Sequence, residues 1–369
     1  MAWAAWPSLR ALPGSLLGAC ALVISAQALA QDCRIAFDLG SSGIRAGSSL
    51  TSGAGKPSRR NLDLLTPLWA GQGLRSQLSA VTSALIELPA QAGWPARCER
   101  IGAGFSAWRL AWQQEAATLP ESLRSLRAGT GVSVFILPPS VEGRLAYRSA
   151  RELLGASLVT SHVLDIGGGS LQVAGESGTF GAELGQKAWL QKLCAQLGAS
   201  PRATCTLQTL SASALAQARS LASQQLKDLP AELGPGVSMT AITRPVTRGV
   251  LPALRALGQR REASIELGAL SAAIDTLAKL ELGALARLTG TAPAFAGYLL
   301  SDMLLLEALL QATQASELKV AEAEINNLPA LLADERSYAW GRQYACYLER
   351  LAQQGLGAYL SDPASCPQR

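Results

Sequence analysis

Apolar positions along this chain fall into two rhythms. Short unbroken runs of the kind that fill a buried strand stand at 35–37 and 163–164. Each ends on an aspartate followed by small residues: Asp38-Leu39-Gly40-Ser41-Ser42-Gly43 and Asp165-Ile166-Gly167-Gly168-Gly169-Ser170. Longer stretches carry apolar residues at near-helical spacing, as Leu78, Val81, Leu85 and Ile86 do, and predict helices. The small residues after each aspartate let backbone N–H groups approach an anion closely. A carboxylate at the mouth of each turn can hold a divalent cation, directly or through water. One glycine-rich turn is a weak signal, because glycines also serve ordinary tight turns. Two in the same order of strand, aspartate and turn point to a phosphate clamp, against the competing reading of two structural hairpins.

The remaining pattern alternates strand and helix. After the first turn a strand returns over 44–46, a polar loop spans 51–60, and a helix runs from Ser76 to near Pro89. A strand over 100–105 leads to Ser106, a candidate N-cap for a helix from Ala107. The β-branched run at 132–137, closed by Pro138-Pro139, reads as a strand. The helix after it, about 141–154, carries Glu142 and Arg144 in its first turns and forms the hinge to the second glycine turn. Then come strands over 171–174 and 179–184, helices through 226, and a stretch from 229 to 250 that fits neither rhythm. Helices over 270–288 and 294–310, a short strand at 318–320 and a final helix over 337–351 complete the chain. This alternation predicts two α/β domains with mixed sheets flanked by helices, over 31–160 and 161–332, and a C-terminal helix and tail over 333–369.

Length supports the division, since 369 residues exceed one ordinary core. A hydrophobic content of 49% with 16% charged residues fits a packed globular protein. The net charge of +5 is too modest to mark a nucleic-acid protein, and no motif suggests one. Arginines crowd the first turn and the stretch 97–151, fitting either a groove for an anionic substrate or a solvated basic face. The eight tryptophans read as core residues, and His162, the one histidine, reads as structural.

Arg10, the apolar stretch 11–26 and Ala28-Leu29-Ala30 before Gln31 read as a cleaved secretory signal over 1–30, so export to the periplasm is expected. The rival reading makes Leu17-Gly18-Ala19-Cys20 a lipoprotein site with an anchor at Cys20. Beyond this segment no apolar run is long enough to span a bilayer. Removing it leaves Cys33, Cys98, Cys194, Cys205, Cys346 and Cys366, an even set for which disulfides are the default in an oxidising compartment. Cys33 and Cys98 each precede an apolar strand, and neighbouring parallel strands would bring their starts together. Cys194 with Cys205 and Cys346 with Cys366 would close local loops.

Four segments, in order, resemble the exopolyphosphatase and guanosine pentaphosphate phosphatase (Ppx/GppA) family, within the superfold shared by actin, sugar kinases and heat-shock ATPases. Residues 35–41 with Arg45 look like the first phosphate motif, and Gly104-Phe105-Ser106-Ala107-Trp108-Arg109 looks like the strand-to-helix junction bearing an arginine. Ser140-Val141-Glu142-Gly143-Arg144-Leu145 looks like the Glu-Ala-Arg-Leu motif that sets the phosphatases apart from actin and the kinases, and 165–170 looks like the second phosphate motif. Weaker similarity continues over 270–332. The resemblance implies two actin-like (ribonuclease H-like) domains with the site in the cleft between them. It implies that Glu142 orients or deprotonates the water attacking a terminal phosphoryl group. It further implies that Asp165, helped by Asp38, holds Mg²⁺, and that Gly40, Ser41, Gly167, Gly168, Gly169 and Ser170 cradle phosphates. Arg45 and Arg109 would clamp nonbridging oxygens, whereas from the charges alone Arg109 or Arg144 reads equally as a surface or interdomain ion pair.

The chain departs from the family at several places. The second motif usually continues Ser-Thr-Glu, whereas here Ser170 is followed by Leu171 and Gln172, so a carboxylate is lost. Ser42-Gly43 replaces the usual Asn followed by Ser or Thr. Ala241-Ile242-Thr243-Arg244, Phe295-Ala296 and Glu324-Ile325-Asn326-Asn327-Leu328 replace further family segments and weaken any nucleotide pocket. Export argues against a kinase or chaperone ATPase, because ATP is not normally supplied outside the cytoplasm. The expected function is Mg²⁺-dependent hydrolysis of phosphoanhydrides, with inorganic polyphosphate as substrate. The alternative is a degenerate member that binds a phosphate-rich ligand or a protein partner without hydrolysis. Oligomeric state stays open, a homodimer included.

Overall fold

The first apolar run lies at the centre of a sheet because both of its faces are covered. β1 (Arg34–Gly40) buries Ile35 through Leu39 without alternation, the mark of a strand packed on two sides. It pairs antiparallel with β2 (Gly43–Ser48), which pairs antiparallel with β3 (Ser58–Asn61). On its other edge it pairs parallel with β4 (Glu99–Gly104), and β4 pairs parallel with β5 (Ser133–Ile136), giving the order β3-β2-β1-β4-β5. The structure is a computed structural model that describes residues 33–50, 58–198, 205–207, 209–259 and 263–367. The expected signal over 1–30, Cys20 included, lies outside the described residues.

β6 (His162–Ile166) holds the matching central place in a second sheet. It pairs antiparallel with β7 (Leu171–Gly175), which pairs antiparallel with β8 (Thr179–Ala182), and parallel with β9 (Met239–Ala241). β10 (Ser264–Glu266) and β11 (Glu317–Val320) pair antiparallel, and β11 joins β9 in parallel. The order β10-β11-β9-β6-β7-β8 repeats the first sheet with one strand added at the edge. Register repeats as well, for Asp38 stands opposite Arg45 as Asp165 stands opposite Gln172. The repeat is not legible as sequence similarity beyond the two turns, because strand order is fixed by crossovers and not by local composition.

The helix Pro139–Leu154 wedges between the sheets. Pro138 and Pro139 end β5 and start the helix, where a missing N–H costs nothing. Val141 and Leu145 join the first core, while Ala146 and Ala150 form a small core with Val163, Ile242, Ala321 and Ile325 from the second sheet's side. At Leu328 the chain returns to the first core, inside the stretch assigned by sequence to the second domain, and Leu328, Leu331, Tyr338, Trp340 and Tyr347 are buried there. These aromatic residues also finish the edge of β5. The Tyr347 hydroxyl accepts the Ile136 N–H at 2.9 Å, and the Tyr344 hydroxyl donates to the Val134 carbonyl at 2.8 Å. Two hydroxyls thus stand where a further strand would otherwise pair.

Several expected helices differ. The stretch 270–288 is two helices, Leu267–Leu277 and Leu282–Thr289, because Thr209 and Leu210 donate to the carbonyls of Leu280 and Ala278 between them. The final helix is likewise two, Glu335–Arg342 and Tyr344–Gln354, broken at Gln343, so that Trp340, Tyr344 and Tyr347 all reach the core around Phe135. Ser106 is the first helical residue and makes no capping bond; Phe105 is the N-cap. Among the described residues one helix is long and apolar enough to cross a membrane, Phe295–Ala312, and most of it is buried in the second core.

Disulfides close the pairs Cys33–Cys98, Cys194–Cys205 and Cys346–Cys366. The first spans 65 residues and ties the start of β1 to the start of β4, with Cα atoms 4.7 Å apart. Replacing both Cys33 and Cys98 by serine is expected to cost about 2–5 kcal/mol, read as a lowered urea midpoint. An unchanged midpoint would mean that the bond constrains nothing.

Candidate functional site

Both glycine turns and the first turns of the helices Ser106–Glu115, Pro139–Leu154 and Gln186–Gln196 open onto one cavity of about 370 Å³. The turns face each other closely. A Cβ added to Gly168 would lie 2.6 Å from the Ser41 hydroxyl and 2.8 Å from that of Ser42, so only glycine allows this approach. Gly40, Ser41, Gly167, Gly168 and Ser170 line the cavity with Asp38, Asp165, Arg45 and Glu142. Gly169 is not among its lining residues.

Glu142 is buried, and three donors converge on its Oε2: Arg109 Nη1 at 2.7 Å, Gln172 Nε2 at 3.0 Å and, more weakly, the Ser170 hydroxyl at 3.5 Å. No described residue donates to Oε1. A Cβ on Gly143 would sit 3.1 Å from Ala174 Cβ and 3.6 Å from Gln172 Cβ, so the glycine after Glu142 lets this helix lie tightly on β7 and brings the carboxylate to Gln172. Burial pushes the Glu142 carboxyl above the usual range, and Arg109 opposes the rise. Asp38 is also raised by burial, opposed by Arg45 at 3.4 Å and by the Asn327 backbone N–H.

Arg109 makes the ion pair that was the alternative to a phosphate clamp. Its guanidinium is buried and is not among the cavity-lining groups; it binds Glu142, the Leu137 carbonyl at 3.1 Å and Glu183 at 3.2 Å. It therefore orients the acid. Arg45 does line the cavity. Arg59, its partner across β2 and β3, lines it too, and like charges set directly opposite favour an anion between them. Arg60, Lys187 and Arg244 add further cations, a set spread over both halves of the chain that no local spacing reveals. The segments that depart from the family, through Thr243, Phe295 and 324–327, still form the cavity wall.

No family model matches the sequence. A protein of Streptomyces coelicolor described as uncharacterized is 42% identical over 77 residues, which is 21% of this chain and 23% of that protein. Solved structures match far more of it. The Ppx/GppA phosphatase of Aquifex aeolicus, in its type II crystal form, is 17% identical with a TM-score of 0.59 and covers 81% of this chain and 98% of its own. An exopolyphosphatase-like protein is 15% identical, with a TM-score of 0.61, over 85% of this chain and 99% of its own. The chain has the Ppx/GppA fold. An exopolyphosphatase from Cytophaga hutchinsonii agrees, at 11% identity and a TM-score of 0.56 over 82% of this chain and 96% of its own. The two mixed sheets and the helices around them are thus those of actin-like Ppx/GppA structures.

Within this Ppx/GppA fold, Asp38 and Asp165 each bring a carboxylate to the cavity, the donor type a divalent cation takes. Among the described residues no cluster of three or more acidic, histidine or cysteine side chains forms a metal cage. Mg²⁺ does not need one, since it is commonly bound through one or two carboxylates together with substrate phosphates. Asp165 lines the cavity and has no ion-pair partner among the described residues, which fits that role. Burial pushes its carboxyl up to about 7, helped by Glu142 and Asp38 and opposed by Arg45. A folded-state value above the unfolded one makes stability fall as pH rises from about 4 to 7, because the unfolded chain releases the proton first. In buffer free of divalent cations, Asp165→Asn should therefore melt above the native protein at pH 8, and the gap should close toward pH 4. A constant gap at both pH values would contradict the buried charge.

Proposed function

We propose that this chain is an exported hydrolase that removes terminal phosphoryl groups from inorganic polyphosphate with the help of Mg²⁺. The observation that carries the reading is Glu142, which lines the cavity between the two glycine turns with one oxygen held by Arg109 and Gln172 and the other without a donor. A carboxylate fixed in this way can accept, at Oε1, the proton of a water aligned with the terminal phosphorus. Ser41, Gly168 and Ser170 would hold the phosphoryl oxygens. Asp38 and Asp165 would hold Mg²⁺, whose charge would offset that of the phosphates. Arg45, Arg59 and Arg244 would attract and neutralise the rest of the chain.

A second reading, binding without hydrolysis, is favoured by Gln172 in place of a carboxylate. One experiment separates them. Oxidised protein from Gln31 onward should release orthophosphate from long-chain polyphosphate only with Mg²⁺, and Glu142→Gln should lower the rate by about 10²-fold or more while leaving the fold intact. The acid limb of the pH profile should lie above the ordinary glutamate range, because protonation of the raised Glu142 removes the base as pH falls. Polyphosphate binding without any release would select the second reading.

A further inference from the structure

The two glycine turns are joined across the cleft by an ion pair that belongs to neither expected motif. Lys187 Nζ lies 3.2 Å from Asp63 Oδ1. Lys187 is the second residue of the helix Gln186–Gln196, and its backbone N–H donates to the Gly168 carbonyl at 2.8 Å. Asp63 sits against the other turn, for the N–H of its neighbour Leu64 donates to the Ser41 carbonyl at 3.1 Å. Lys187 lines the cavity. A lysine anchored to one phosphate turn is therefore tethered to an acid anchored to the other.

The pair is too exposed to be a structural bond of consequence. The side chains are 25% and 46% exposed, and pairs of this kind contribute little to stability. A phosphate oxyanion entering the cavity offers the ammonium a charge-assisted bond in a less hydrated place, which is stronger. Asp63 has another task that survives the exchange, since it accepts the backbone N–H of Thr66 at 3.3 Å and its hydroxyl at 2.7 Å, holding the start of the helix Leu65–Trp69. Only the lysine is free to leave.

We propose that Lys187 is a phosphate ligand of this cleft, held in reserve by Asp63 and released by an incoming phosphate chain. The proposal rests on the phosphate-cleft reading above. It places Asp63 as a competitor of the substrate, so the two partners have opposite effects on binding. The test is calorimetric titration with inorganic tripolyphosphate in the Glu142→Gln background, which keeps the probe intact. Lys187→Met should weaken binding about tenfold. Asp63→Asn, which keeps an acceptor for Thr66, should tighten it about two- to fivefold. With Lys187→Met already present, most of the Asp63→Asn gain should disappear. Unchanged affinity in Lys187→Met, or weaker binding in Asp63→Asn, would overturn the proposal even where the Glu142-intact protein hydrolyses polyphosphate. The opposite effects in a protein that never releases phosphate would support it while removing the hydrolase reading. Absence of tripolyphosphate binding would overturn both.

Discussion

The buried pair of Arg109 and Glu142 is the interaction on which the cleft depends. Both groups are almost wholly withdrawn from water, and removing one partner of such a pair typically costs about 3–5 kcal/mol because the other is left charged and unpaired. That penalty fixes three segments at once. Arg109 belongs to the helix Ser106–Glu115, Glu142 to the helix Pro139–Leu154, and Glu183, which meets the same guanidinium, to the connection after β8. The pair lies in the first half, and its bonds to Glu183 and Gln172 tie it to the second and set the direction of the Glu142 carboxylate.

The duplicated sheet supplies the rest of the geometry. Each central strand carries an aspartate near its end and a glycine-rich turn beyond it, and the two copies face each other over the same cavity. The residues across from those aspartates have diverged. Arg45 brings a cation to Asp38, whereas Gln172 lies opposite Asp165 and turns its amide to Glu142. In this chain Gln172 supports the acid where a second carboxylate would repel it, so the lost charge does not leave the site unsupported. Among the described residues, Gln172 Oε1 and Arg109 Nη2 stay buried without a protein partner.

The chemistry carried by local sequence was legible. An apolar run, an aspartate and small residues specify a strand and its turn by their own conformational preferences, and Glu142 in the first turn after two prolines was visible for the same reason. What depends on crossings was not. The resemblance made Arg109 a phosphate clamp beside the ion-pair alternative, and nothing in 104–109 shows that its side chain points into the core toward Glu142. Lys187 and Asp63 carry no motif, and they meet only because the two turns face each other. The helix breaks near 280 and at Gln343 arise from backbone partners and aromatic packing elsewhere in the chain. The return of Leu328 to the first core is set by space left beside β1 and β2, which no window of residues records.

Arg109 and Gln172 keep the buried Glu142 ionised. Difference infrared spectroscopy of the native protein against Glu142→Gln, at pH 7, reads that charge directly. The account predicts the paired bands of an ionised carboxylate, replaced by a protonated carbonyl band when the same comparison is made in Arg109→Leu. A protonated Glu142 in the native protein at pH 7 would contradict it.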